Sequence, residues 1–259
     1  MNKTKIFHEL HHGDRPLVLP NAWDFGSAAI LAAEGFPAIG TTSLGVAVAA
    51  GLPDGTGVTA EATMALARLL ARLPVPVTVD IEGGFSESPS AVAEYVAQLA
   101  EMGIAGVNVE DGRTETALTE PDHQSALIAA IKARSPELFV NARVDTYWLE
   151  LDTDTTFTRV EQYTAAGADG IFVPGLTDPD EISRIVAATP LPLNVLYAPT
   201  GLSLAALADL GVRRVSTGSL LYRTALAAAV DTARAVRDDN PTTTEAPSYG
   251  RVQALTDPA

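Results

Sequence analysis

The chain has 259 residues, 47% of them hydrophobic, no cysteine, and a formal net charge of −15 from 32 acidic and 17 basic residues. That length and apolar content can fill one large α/β domain. The missing thiols exclude disulfides, thiolate metal sites and cysteine nucleophiles or acids, and the acidity argues against nucleic acid as a partner. No apolar run approaches the length of a bilayer span, and residues 1–13 lack the apolar core and cleavage pattern of a leader, so a cytoplasmic protein without a membrane partner is expected.

In chain order, short β-branched runs alternate with alanine-rich helical stretches. Strands are predicted at Leu17 to Ala22, Ala38 to Ser43, Val75 to Glu82, Gly106 to Glu110, Phe139 to Asp145, Gly170 to Val173, Leu191 to Tyr197 and Arg214 to Thr217. Helices are predicted between them, at Phe25 to Glu34, Ala60 to Leu73, Ser90 to Met102, Asp122 to Ala133, Thr155 to Ala166, Pro179 to Ala188 and Ser203 to Leu210, with a last one from about Tyr222 to Arg237. Gly35, Gly103, Gly167 and Gly211 follow helical stretches, where tolerance of positive φ ends a helix. The alternation predicts a (β/α)8 barrel of the TIM type, with a doubly wound open sheet as the alternative. Residues 1–237 form the single catalytic domain in this reading. Residues 238–259, rich in Pro, Thr, Ser and Asp, read as an extended C-terminal arm, either disordered or lying on a neighbouring subunit.

Barrel enzymes take their chemistry from the C-terminal ends of strands and the loops that follow. The third strand ends Val77-Thr-Val-Asp80-Ile-Glu82-Gly-Gly-Phe85, and period-2 geometry points both carboxylates to one side. Two adjacent carboxylates repel unless a cation sits between them, and a hard divalent ion is the usual answer; the alternative is a polar strand end solvated in a loop. Other strand ends supply Thr41, Thr42 and Ser43, Glu110 and Asp111, the alternating set Asn141, Arg143 and Asp145, and Asn194 with Tyr197. Arg143 and Asp145 could form only a structural pair, but three polar groups on an inward register beside the acids point to a site for a metal and an anion. Glycine and proline density from Gly45 to Gly57 predicts a lid that would bring Asp54 towards the metal, although an aspartate before glycine is also a common turn residue. His8, His11 and His12 have no metal-site spacing and read as surface or contact residues, and Trp23 and Trp148 as core or site-wall aromatics.

Leu19-Pro-Asn-Ala-Trp-Asp24, Gly40-Thr-Thr-Ser-Leu44, Leu52-Pro-Asp54, Val79-Asp-Ile-Glu-Gly-Gly-Phe85, Gly106-Val-Asn-Val-Glu-Asp111 and Asn141-Ala-Arg-Val-Asp145, in that order, resemble the isocitrate lyase/phosphoenolpyruvate mutase superfamily from about Val18 to Arg234. The resemblance implies that Asp80 ligates Mg²⁺, or Mn²⁺, directly, and that Glu82, Glu110 and Asp54 hold its coordinating waters. Glu82 stands where the family usually has Asp. Thr42, Ser43 and Leu44 match the segment that binds the substrate carboxylate, and Arg143 the arginine facing the same anion. Members commonly form tetramers with the last helix exchanged between barrels, so a homo-oligomer is expected, a tetramer or a dimer with an exchanged helix.

The departures narrow the reaction. Isocitrate and methylisocitrate lyases carry a Lys-Lys-Cys-Gly-His or Lys-Arg-Cys-Gly-His signature after the fourth strand, with cysteine as the acid. Here that stretch reads Glu110-Asp-Gly-Arg-Thr-Glu-Thr-Ala-Leu-Thr-Glu-Pro121, without cysteine or lysine, and the mutases' Glu-Asp-Lys is absent as well. The expected activity is a Mg²⁺-dependent lyase or decarboxylase that cleaves a C–C bond in a small 2-oxo or 2-hydroxy carboxylic acid through a metal-stabilised enolate. Asp80, Arg143, Asn194 and the Thr42–Leu44 segment would bind the substrate, Arg143 and Asp54 would act in catalysis, and Tyr197, Asp145 or a metal-bound water would deliver the proton. The alternatives are P–C chemistry of the phosphonopyruvate hydrolase or mutase kind, and a binding protein for 2-oxo acids without catalysis.

Overall fold

The computed structural model describes residues 2–114, 116–242 and 245–256. Its main sheet is wholly parallel and runs through β1 (Leu17–Leu19), β2 (Ile39–Thr41), β3 (Val77–Asp80), β4 (Gly106–Glu110), β5 (Phe139–Arg143), β6 (Gly170–Val173), β7 (Leu193–Leu196) and β8 (Arg214–Ser216). Pro20, which has no N–H for the ladder, interrupts the first strand, which resumes at Asn21–Ala22. The two halves face different neighbours: Leu17 pairs with Arg214, and Asn21 pairs with Gly40. One broken strand thereby joins the last strand to the second and closes the ring, which excludes the open doubly wound sheet.

Helices α1 (Lys3–Leu10), α2 (Phe25–Ala33), α3 (Ser43–Ala49), α4 (Ala60–Leu70), α5 (Pro89–Glu101), α6 (Pro121–Arg134), α7 (Thr146–Leu149), α8 (Thr156–Ala165), α9 (Pro179–Ala188), α10 (Leu204–Asp209), α11 (Leu220–Arg237) and α12 (Tyr249–Gln253) accompany the strands. Local chemistry sets their ends. Asp24 and Ser27 form a reciprocal capping box on α2, and Pro89, Pro121 and Pro179 open α5, α6 and α9, where a missing N–H costs nothing. The predicted stop glycines Gly35, Gly103, Gly167 and Gly211 adopt φ of 88°, 92°, 98° and 90°. The outward faces of the strands, such as Val79, Val107, Val140 and Ile171, are buried with helix residues such as Val96, Leu127 and Val160 in one continuous core.

Helices α1, α3, α7 and α12 were not foreseen, and the first two bear on the barrel's ends. Helix α1 plugs the N-terminal end of the barrel: Phe7 is fully buried and meets Phe139 edge-on at 5.3 Å, while His11 stacks on the same ring at 4.2 Å. His11 is therefore a buried packing residue, and burial lowers its pKa to about 3. Helix α3 occupies the first part of the expected lid, leaving residues 50–59 as the loop proper. Gly45 belongs to this helix because a Cβ there would overlap the Trp23 and Thr42 side chains, so its role is close packing.

Beyond the barrel, α11 is an 18-residue helix in which only Tyr222 is buried. The expected arm contains a second short helix, α12, where Arg251 pairs with Glu34 of α2 and Leu255 packs against the core. Residues 243, 244 and 257–259 of that arm lie outside the described residues. Among the described residues no helix is long and apolar enough to cross a membrane.

Candidate active site

A cavity of about 520 Å³ opens at the C-terminal end of the barrel. Asp80, the last residue of β3, sits at its base. The Asp80 backbone N–H donates to Thr41 Oγ1 at 2.9 Å, its Oδ1 accepts from the Glu82 amide at 3.1 Å, and Asn108 Nδ2 donates to Oδ2 at 3.4 Å. These are neutral donors, so the carboxylate is oriented without an ion pair among the described residues, and Arg143 and Arg214 act on its charge only through space. Arg143, at the end of β5, is the only cationic side chain among the described residues lining the cavity. Glu110 engages its Nη1 at 2.6 Å and Asp145 its Nε at 2.5 Å. Its guanidinium carbon lies 6.0 Å from the Trp148 ring centre and 5.7 Å from that of Phe172.

The carboxyls respond to this crowding. Burial pushes Glu110 well above the ordinary range against the opposing pull of Arg143, and pushes Asp145 up to about 6 against the same guanidinium. Asp54 is also raised, first by partial burial at the mouth and then by the charge of Asp80.

Support comes from groups around the site. Asp111 is fully buried, accepting from Arg159 Nη1 at 2.9 Å, Tyr163 Oη at 2.7 Å and the Asp145 amide at 2.8 Å, and thereby fixes the turn that presents Asp145. Gly112 lies so close to Asp145 that a Cβ would strike its carboxylate. Asn21, in the continuation of the first strand, accepts from the Thr217 and Gly218 amides at 3.0 and 2.9 Å and donates to the Thr41 carbonyl at 2.7 Å, stitching the mouth of the closed ring. Arg214 crosses the interior beneath the cavity, donating to Ser216 Oγ at 3.0 Å and to Asn108 Oδ1 at 3.1 Å, so it supports the asparagine that orients Asp80. Sequence reasoning passed over Arg214, although a second consecutive arginine at the start of a buried strand was a visible anomaly.

The structure brings Asp54, Asp80, Glu110, Arg143, Thr42, Ser43 and Leu44 around one cavity. Glu82, Asn194 and Tyr197 are not among its lining, although Glu82 stands beside it, close enough for the charges of Asp80 and Asp54 to act on its carboxyl. β3 ends at Asp80 and Glu82 has φ of 49°, so strand alternation does not reach Glu82. Its carboxylate instead accepts from the Gly57 amide at 2.8 Å and from the Thr59 hydroxyl, anchoring the end of the lid. Asn194 lies deeper in the barrel, where its Oδ1 accepts from Ser216 Oγ at 3.1 Å. Tyr197 follows β7, is 41% exposed and is not among the lining of the cavity. With the lid anchored, Asp54, Gly55 and Thr56 line the mouth.

Among the described residues no three acids or histidines converge tightly enough to cage an ion by themselves. The donor set instead suits an ion that keeps several waters and takes one or two carboxylates, the habit of Mg²⁺. Asp80 offers a carboxylate without an ion-pair partner among the described residues, and Asp54 and Glu110 stand at the same cavity.

The family model described as phosphoenolpyruvate phosphomutase matches residues 7–237. An uncharacterised protein of Mycobacterium tuberculosis is 52% identical over 250 residues, 96% of this chain and 95% of its own. The oxaloacetate decarboxylase of Ectopseudomonas mendocina is 32% identical over 203 residues, 74% of this chain and 69% of that enzyme. Among solved structures, a provisionally assigned phosphonomutase from Burkholderia cenocepacia superimposes with a TM-score of 0.82 at 39% identity, covering 89% of this chain and 98% of its own.

Proposed function

The chain belongs to the phosphoenolpyruvate phosphomutase family, within a superfamily of lyases and mutases acting on C–C and P–C bonds, and we propose that it is a Mg²⁺-dependent lyase or decarboxylase of a small 2-oxo or 2-hydroxy carboxylic acid. The observation that carries this reading is the charge pattern of the cavity: among the described residues Asp80 has no ion-pair partner, while Arg143 is held by Glu110 and Asp145. An anionic substrate approaching such a wall requires a cation. The sequence relationship to an oxaloacetate decarboxylase supports cleavage of a C–C bond.

Asp80 would hold the ion, with Asp54 and Glu110 holding its waters. Bound Mg²⁺ would supply positive charge where an enolate oxygen develops its negative charge. Arg143 and the first-turn amides of α3 at Ser43 and Leu44, which lack intrahelical partners, would orient the substrate carboxylate. Of the proton carriers considered from sequence, Asp145 lines the cavity, next to Arg143, and is the side chain placed to hold or release a proton there. Glu82 acts at one remove, by keeping the lid and its Asp54 in place.

The family description also favours P–C chemistry as a second reading. Arg113, the basic residue of the loop after β4, counts against it. Its Nη1 donates to the Glu110 and Gly112 carbonyls at 2.8 and 2.9 Å, so its donors are turned to the loop, and Arg143 is the one cation among the described residues lining the cavity. A screen of 2-oxo and 2-hydroxy acids with and without Mg²⁺, reading CO₂, pyruvate or phosphate release, tests the reading. Metal-dependent release of CO₂, or of pyruvate from a substrate without phosphorus, supports it; loss of phosphonopyruvate to pyruvate and phosphate, or to phosphoenolpyruvate, transfers the case to the second reading; and binding without turnover makes the chain a binding protein. Because no thiol acid is present, isocitrate and 2-methylisocitrate are expected to remain uncleaved.

The assembly belongs to the same proposal. Helix α11 leaves Leu226, Val230 and Val236 exposed at 47%, 46% and 69%. An apolar helix face left open by its own barrel supports a homo-oligomer, a tetramer or a dimer, in which this helix is exchanged.

A further inference from the structure

The residues lining the cavity divide by chemistry. The charged ones are Asp54, Asp80, Glu110 and Asp145 with a single cation, Arg143, that is already paired twice. The apolar ones are Trp148, Leu149, Phe172, Pro174 and Leu196, with Phe172 and Leu196 on neighbouring strands β6 and β7, and the rest are neutral, such as Thr42, Ser43 and Ser216. No lysine, histidine or second arginine among the described residues lines the cavity. Arg214, the nearest further guanidinium, is fully buried below Asn108 and spent on Asn108 and Ser216. Arg113 is spent on backbone carbonyls of the loops.

From this division we infer that the substrate's distal part, beyond the 2-oxo or 2-hydroxy carboxylate head, is an uncharged branched alkyl or aryl group seated on the Trp148–Phe172–Leu196 wall. This rests on the proposed function and deepens it by naming the substrate's tail. The physical case has two parts. A further carboxylate or a phosphonate placed on the apolar wall would lose hydration without gaining a counter-charge, and the acids of the same cavity would repel it. An alkyl or aryl group there loses nothing polar and gains burial, about threefold to fourfold in affinity for each methylene covered.

The test is calorimetric titration of the Mg²⁺-loaded full chain with ligands that share one head and differ in tail: oxalate, pyruvate, 4-methyl-2-oxopentanoate and 2-oxoglutarate. The branched acid is expected to bind at least tenfold more tightly than pyruvate and than 2-oxoglutarate, which has similar length but ends in a carboxylate. Leu149→Arg, on the short, half-exposed helix α7, should invert the order of 2-oxoglutarate and the branched acid by supplying the missing cation at the apolar wall. Oxalate binding together with 2-oxoglutarate equal to or tighter than the branched acid overturns the apolar tail and leaves the proposed function standing. Absence of any metal-dependent oxalate binding removes the head that both readings share and overturns both.

Discussion

Arg143 carries the substrate half of the proposed chemistry, and its surroundings decide what a substitution there would do. Two carboxylates fix its planar fork and two aromatic rings flank it, so its direction is set before a ligand arrives. Arg143→Lys replaces the fork with one ammonium point charge and cannot keep both partners and face a substrate carboxylate. Loss of at least tenfold in kcat/KM is expected, about 1.4 kcal/mol of transition-state stabilisation. Unchanged kinetics would assign Arg143 to a purely structural pair with Asp145. Asp80 is the opposite kind of residue: neutral donors orient it and it has no ion-pair partner among the described residues, which is why it, rather than Glu110, is the direct ligand proposed.

At the level of elements, the lid shows what strand periodicity can and cannot foresee. Asp80 falls on β3 as alternation demands, but the strand stops there and the left-handed backbone at Glu82 turns that carboxylate to Gly57 and Thr59. Glu82→Gln should loosen this anchor, since an amide cannot accept at both atoms. Faster limited proteolysis within residues 50–59 is expected, together with a fall in kcat larger than any change in folding stability, because Asp54 then reaches the cavity less often. Proteolysis at the wild-type rate would show that the lid is held by other contacts. The strands themselves were legible because each is a short β-branched run bounded by a helix-ending glycine or a polar strand end. Helix α3 was not, since Gly45 reads as a hinge in sequence and is in fact demanded by the Trp23 side chain it packs against. Helix α1 was hidden for a related reason: its two lysines and His8, with His11 and His12 just beyond it, mask Phe7, the buried residue that seats it under the barrel. The roles of Asn194 and Tyr197 depended on where the barrel's mouth begins, which a list of strand ends does not reveal.

Over the whole molecule, the fold brings Asp54, Asp80, Glu110 and Asp145 around one cavity with a single arginine, and stability should register that local excess of acid. Asp145 is pushed up to about 6 from an ordinary 3.8, so between those values the folded chain holds a proton that the unfolded chain has released. Its contribution is fully present below about 4 and is lost as pH rises through about 6; Glu110 and Asp54 are shifted in the same direction. In EDTA, thermal denaturation should therefore give a Tm that falls as pH rises from 5 to 7, with a shallower slope in Asp54→Asn. A Tm that climbs across that window would mean that the acids are compensated in the fold. The same excess is what calls for a cation in the proposed mechanism. The most direct test is calorimetric titration of Mg²⁺ into metal-stripped protein saturated with oxalate, on the wild type and on Asp80→Ala. The wild type is predicted to take up one equivalent and the variant none while retaining its fold by circular dichroism; no uptake by the wild type, or equal uptake by both, would contradict the assignment of this cavity as a metal-dependent site built on Asp80.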